Sequence, residues 1–197
     1  MKNIALVLGL ALITVSAWSH DEAHGVVKER MDLMDNLKSA MKSLKPIMRG
    51  KKVYNVDTVK KNALVIFHNA GGNMTKLFPE GSLQKPSEAS PSIWKQWQEF
   101  QRIANKLKRL GQALHDVAEK DQGMGDPKTM ANPNRAQGMM GNPDQARGLG
   151  MATGVRGAVH GLDNMSDQQL ASMPANGLIR MIGQSCSACH KKYRVEK

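Results

Sequence analysis

Large aromatic side chains are scarce in this 197-residue chain: three Phe, two Tyr and three Trp make up 4% of it. So few bulky rings are a thin anchor for a core of this size, which implies that the core includes something other than protein. Cysteine is scarcer still. Two Cys in such a length exclude a disulfide-stapled mini-protein, and the lack of a regular glycine period excludes collagen. A hydrophobic fraction of 41% is too high for a disordered chain. Acidic residues are in deficit, with 17 Asp+Glu against 28 Lys+Arg, so the formal charge is +11. Long apolar runs are missing as well. The longest apolar run, Ile4 to Ala17, carries no charge and falls short of the ~20 residues that a membrane-spanning helix needs.

That stretch has another use. Lys2 precedes it, and Ala17-Trp18-Ser19 ends it with small residues at the minus-three and minus-one positions. Residues 1–19 therefore read as a secretory signal peptide cleaved before His20, which places the protein in the periplasm. The rest, 20–197, reads as one domain. Losing Lys2 lowers the charge to +10.

Four stretches carry helical periodicity. In the first, Val27, Met34, Met41 and Met48 form one row and Leu37 and Leu44 another, a heptad seam suited to packing between helices. Pro46 should end or kink this helix near Lys45, and Gly50 should stop it. A second begins at Asn55-Val56-Asp57, with Val56, Ala63, Ala70 and Leu77 in one row and Val59 and Ile66 in the next, and runs to about Phe78-Pro79. A third, opened by Ser90-Pro91, passes through Ile93, Trp97, Phe100, Ala104, Leu107, Gly111, Leu114 and Ala118. The fourth spans about Asn176 to Arg194. Four apolar faces predict an all-α, antiparallel four-helix bundle.

Residues 121–165, between the third and fourth stretches, lack a sustained apolar period and are rich in Gly, Asn, Gln and Met. They read as a long insert. A weak repeat lies inside it: Asn132-Pro133 and Asn142-Pro143 each open a similar segment, two copies too few and too polar for a solenoid.

The most specific signal is Cys186-Ser187-Ala188-Cys189-His190, the C-x-x-C-H attachment sequence of a c-type haem. On a helix these residues sit at i, i+3 and i+4, so both thiols and the imidazole project from one face. The thiols add to the haem vinyl groups as thioethers, and His190 reaches the iron as the proximal ligand. A disulfide or a thioredoxin-like pair fits worse, because of the adjoining His and the absence of a βαβ pattern.

With this motif near the C-terminus of a helical bundle, the chain resembles the class II c-type cytochromes, the cytochrome c-prime family. The resemblance extends to Tyr193-Arg194 and to Arg30-x-x-x-Met34. It also includes Leu77-Phe78-Pro79-Glu80-Gly81-Ser82, followed by Ile93-Trp94 and Phe100. It implies haem c as cofactor, and it departs from the family's short connection at the 121–165 insert. The family divides over the sixth iron position, which high-spin members leave open and a low-spin branch fills with Met from the first helix. The residue four after Arg30 is Met34, a soft thioether able to bond iron, and the resemblance implies the low-spin branch. Read without the resemblance, Met34 is equally a core filler like Met41 and Met48, while Met31 falls one position outside the seam.

Arg30 falls on the seam, where a cation needs a partner: either a haem propionate, or water reached by snorkelling. Arg194, one turn beyond His190, belongs to the proximal surroundings or caps the last turn. His68 and His115 lie beside seam positions and rank below His190 as ligands. His20, His24, Met124, Met130, Met139, Met140 and Met151 offer donors suited to copper.

The expected function is transfer of single electrons through a His/Met-coordinated haem, without enzymatic activity. The alternatives are an open, high-spin iron that binds NO or CO, and a haem protein with a copper-binding insert. The basic charge, including Lys38, Lys42, Lys45, Lys51, Lys52, Lys60 and Lys61, suits acidic redox partners and at most peripheral membrane contact. Nucleic acid is excluded by export. A monomer and a homodimer both remain open.

Overall fold

The computed structural model describes residues 23–123 and 165–195; the expected signal peptide and residues 124–164 lie outside the described residues. Seven helices occur among them: α1 (Gly25–Met48), α2 (Val56–His68), α3 (Gly72–Thr75), α4 (Ser92–Lys95), α5 (Trp97–Gly123), α6 (Asp167–Ala171) and α7 (Ala175–Tyr193). The four long ones, α1, α2, α5 and α7, form the bundle. None of the described helices is long and apolar enough to cross a membrane.

On α1 the buried residues are Val27, Arg30, Leu33, Leu37, Ala40, Met41, Leu44 and Ile47. Of the heptad row, Val27 and Met41 are in this stripe, whereas Met34 and Met48 are half-buried. Pro46 does not end the helix. Its missing N–H removes only one bond, while Arg49 N bonds Lys45 O at 3.1 Å and Lys51 N bonds Pro46 O at 2.9 Å, so α1 runs on to Met48 before Gly50 (φ 67°) turns the chain.

α2 opens on Asn55, whose side chain accepts from Thr58 N at 2.8 Å. It ends at His68, well before the Phe78-Pro79 stop that its apolar rows suggest. Gly71 (φ 62°) breaks the helix and donates its N–H to Ala104 O at 2.9 Å, where a Cβ would lie 2.9 Å from Lys108 Cδ. The third periodic stretch is likewise divided, at Gln96, and its helix continues to Gly123, three residues into the segment read as insert. α6, not expected from the sequence, is fixed by a reciprocal capping box between Ser166 and Gln169.

Directions follow from the cross-contacts. Tyr54 donates to Asp121 Oδ2 at 2.9 Å at one end of α2, and Gly71 meets Ala104 beyond the other, so α2 and α5 are antiparallel. Arg109 Nε donates to Asp167 Oδ1 at 2.8 Å, while Phe100 packs edge-on against Tyr193 at 5.4 Å, so α5 and α7 are antiparallel too. Phe78 lies under the Arg30 guanidinium, 4.2 Å from ring to Cζ, and 4.9 Å from Phe100. The start of α1 and the end of α7 thus gather on one aromatic cluster, and these helices also run opposite ways. The antiparallel four-helix bundle is the fold expected.

Candidate haem site

Cys186, Cys189 and His190 occupy the last two turns of α7. The apolar face of α7, with Leu178, Ile179 and Ile182 fully buried, locks the helix against the core and so fixes these three side chains. Both cysteines are free and half-buried against the core, whereas His190 is exposed. Burial, reinforced by the neighbouring Cys186, pushes the Cys189 thiol up to about 12. Burial also raises Cys186, against the opposing pull of Lys45 and a backbone hydrogen bond. Neutral thiols of this kind are poor nucleophiles for disulfide exchange, which argues against a thioredoxin-like pair. Partial desolvation of the ring, and then the charge of Arg194, lowers the His190 imidazole against a smaller effect of Glu88, which favours its neutral form.

Met34 stands on α1, packed at the edge of the core. Its height relative to His190 follows from the register. A Cβ on Gly183 would lie 3.6 Å from Met41 Cε, so these positions face each other across α1 and α7. Seven residues back along α1 and seven forward along α7 are the same rise, about 10 Å, in opposite chain directions. Met34 and His190 are therefore level along the bundle to within a turn.

The site residues fit a haem. Beside the donor set, Ser185 Oγ and the Tyr193 hydroxyl are buried without a hydrogen-bond partner, in residues that are 3% and 4% exposed. They flank the two cysteines on α7, where orphaned hydroxyls call for a polar partner such as a haem propionate.

Of the two alternatives for Arg30, the structure overturns the one in which it reaches water. It is 4% exposed, so it does not snorkel, and its donors go to protein: Leu77 O (2.7 and 3.1 Å), Ser82 O (3.1 and 3.2 Å), Ser82 Oγ (2.8 Å) and Ser87 Oγ (2.7 Å). Two serines in a connecting segment give no sequence signal that they face an arginine 52 and 57 residues away. Arg194 is half-exposed and pairs with Glu88. His68 is exposed at the end of α2, against Phe67. His115 clusters with Asp116 and Glu119, their ligand atoms within 4.8 Å of one another, toward the other end of α5 from the Phe100–Tyr193 contact. Lys60 supplies Glu119 with a cation at 3.3 Å. His24 is exposed at the start of α1; His20 and the insert methionines lie outside the described residues.

The Cytochrome C' family profile matches residues 25–137, more than half of the chain. The chain belongs to the cytochrome c' family. The match stops short of the C-x-x-C-H motif, which follows the insert. A cytochrome c-556 of Agrobacterium tumefaciens (strain B2A) is 36% identical over 83 residues, 42% of this chain and 66% of that protein. A second cytochrome c-556, from strain II Chrys, is 25% identical over 178 residues, 88% of this chain and 99% of its own length. Among solved structures, cytochrome c' from Thermochromatium tepidum superposes with a TM-score of 0.55 at 16% identity, covering 87% of this chain and 95% of its own. A mutant form of Rhodopseudomonas palustris cytochrome c' gives 0.54 at 15%, covering 88% and 100%. At these identities the structures establish the four-helix fold. As a cytochrome c' family protein, the chain carries haem c, and Cys186, Cys189 and His190 are the residues suited to hold it.

Proposed function

We propose that this cytochrome carries single electrons in the periplasm, with His190 and Met34 holding the haem iron from opposite sides. The register supports this reading, because it sets an imidazole and a thioether at one height on facing antiparallel helices. The haem, when bound, supplies a one-electron iron couple. The chain supplies the rest. Cys186 and Cys189 tether the group to α7, His190 offers a neutral nitrogen, and Met34 offers a soft sulfur that favours the reduced state. Mounting both donors on packed helices limits their movement between oxidation states, and Leu33, Leu37 and Ile182 exclude water beside them. Were His190 and Met34 both to hold the iron, no position would remain for a substrate, so the reading is of a carrier and not of an enzyme. Lys38, Lys42, Lys45, Lys51 and Lys52 are exposed and form a basic surface for acidic redox partners.

One observation favours the gas-binding reading. Leu33, next to Met34, is 7% exposed and more deeply buried than the methionine, and an apolar neighbour at the iron leaves the position open. Optical spectra of wild type and Met34→Ala separate the two. A six-coordinate low-spin iron gives sharp, split bands on reduction and resists CO, and Met34→Ala converts it to a broad-banded form that binds CO. A wild type already broad-banded and CO-reactive, unchanged by Met34→Ala, overturns the electron-carrier reading.

A further inference from the structure

The connection between α3 and α5 is bonded to both helices that carry the iron donors. Arg30, one turn before Met34 on α1, grips it at Leu77, Ser82 and Ser87 and lies over the ring of Phe78. Further along, the same segment is fastened to the end of α7, just past His190. Ser90 N donates to Tyr193 O at 2.8 Å, Val195 N donates to Glu88 O at 2.8 Å, Ser92 Oγ donates to Lys192 O at 3.1 Å, and Glu88 pairs with Arg194. The backbone bonds form a bridge between Ala89 and Arg194.

A strap anchored at these two points has a mechanical consequence. The level of α1 against α7 is set at the haem end by residues 77–92 as well as by side-chain packing. The anchor on α1 is a planar fork, which fixes orientation as well as position because Nε, Nη1 and Nη2 all donate at once. Burying a guanidinium is costly without such partners, and the cost is incurred one turn from Met34. Carbonyls that needed only solvation would be met by water at lower cost.

We propose that this strap is a positioning device for the axial ligands, and that Arg30 is the residue through which it holds Met34 at bonding distance from the iron. The inference rests on Met34 being a ligand. Loosening the strap weakens the sulfur–iron bond while the bundle stays folded. Hydrogen bonds to a charged group are stronger than neutral ones, so loss of the fork outweighs loss of one hydroxyl.

The test uses the holoprotein with Arg30→Lys, Ser87→Ala and Glu88→Gln, none of which replaces an iron donor, Glu88 also acting on His190 through its charge. Three quantities are measured: the long-wavelength sulfur-to-iron charge-transfer absorption of the ferric form, the CO association rate of the ferrous form, and the melting temperature. Arg30→Lys, which keeps the charge and loses the fork, should bleach the absorption and speed CO association about tenfold or more, equivalent to about 1.4 kcal/mol. Ser87→Ala and Glu88→Gln should shift both in the same direction by less, with melting nearly unchanged. If Arg30→Lys fails to fold, these two variants decide the matter. Wild-type absorption and CO rate in every folded variant, whatever happens to the melting temperature, would overturn the proposal. A wild type that lacks the absorption and binds CO as fast as Met34→Ala instead overturns the ligand reading, and the strap's role with it.

Discussion

Lys106 is the residue on α5 whose burial carries the plainest thermodynamic consequence. It is 5% exposed, and burial first, then the nearby Arg102 and Arg109, pulls its ammonium down to about 8 from 10.5 against the opposing attraction of Glu99. A lowered pKa in the folded state means that the unfolded chain binds more protons between about 8 and 10.5, so stability should rise as pH climbs through that window. Lys106→Met removes the cost of burying a charge. The variant should melt above wild type at pH 7, and the gap should narrow by pH 10. A variant that melts lower by the same margin at both pH values would show that Lys106 contributes through packing or pairing instead. Arg30 is buried to a similar degree, with carbonyl and hydroxyl oxygens accepting from every nitrogen and the face of Phe78 beneath it. The sequence placed Arg30 on the seam and gave no signal for Lys106. It did not show what surrounds Arg30, because its acceptors lie in a segment more than forty residues away.

Among the elements, the contact between α2 and α5 depends on Gly111. A Cβ there would lie 2.9 Å from Phe67 N, 3.2 Å from Phe67 Cα and 3.1 Å from Ile66 Cγ2, so two of its three nearest atoms are backbone and cannot step aside. Ala is the better helix former by about 1 kcal/mol, whereas overpacking a close helix crossing costs about 1–3 kcal/mol. The clash wins. Gly111→Ala should lower stability by about 1 kcal/mol or more, read as a shift in urea midpoint with little change in slope; an unchanged or raised midpoint would mean that the helices separate freely. The periodic rows correctly located the four long helices, since apolar spacing is a local property of a helix face. They overran α2 because Ala70 and Leu77 continue its phase, although the chain between them turns at Gly71 and re-enters the core from another direction.

For the whole molecule, the scarcity of aromatics takes on meaning beside the cofactor. Phe78, Phe100, Trp97 and Tyr193 gather at the haem end, where the Phe100 ring meets each of the others within 5.7 Å. A haem adds several hundred Å² of apolar surface there, which at ~25 cal/mol per Å² amounts to several kcal/mol, a large part of a domain's net stability. Haem-free protein should therefore be poorly folded, and its circular dichroism melt should be broad and shifted down. A cooperative apo melt that matches the holoprotein's would sink this expectation.

The sequence alone determined the cofactor and the architecture, because C-x-x-C-H and the spacing of apolar residues are both written within a few turns of chain. It also singled out Met34, though only through resemblance, since a core methionine and a ligand methionine leave the same local pattern. Tertiary structure decided what the local pattern could not hold: the height of Met34 against His190, the partners of Arg30, and the fastening of residues 77–92 across the ends of α1 and α7. Those are relations between helices that are distant in sequence, and they exist only once the bundle has closed.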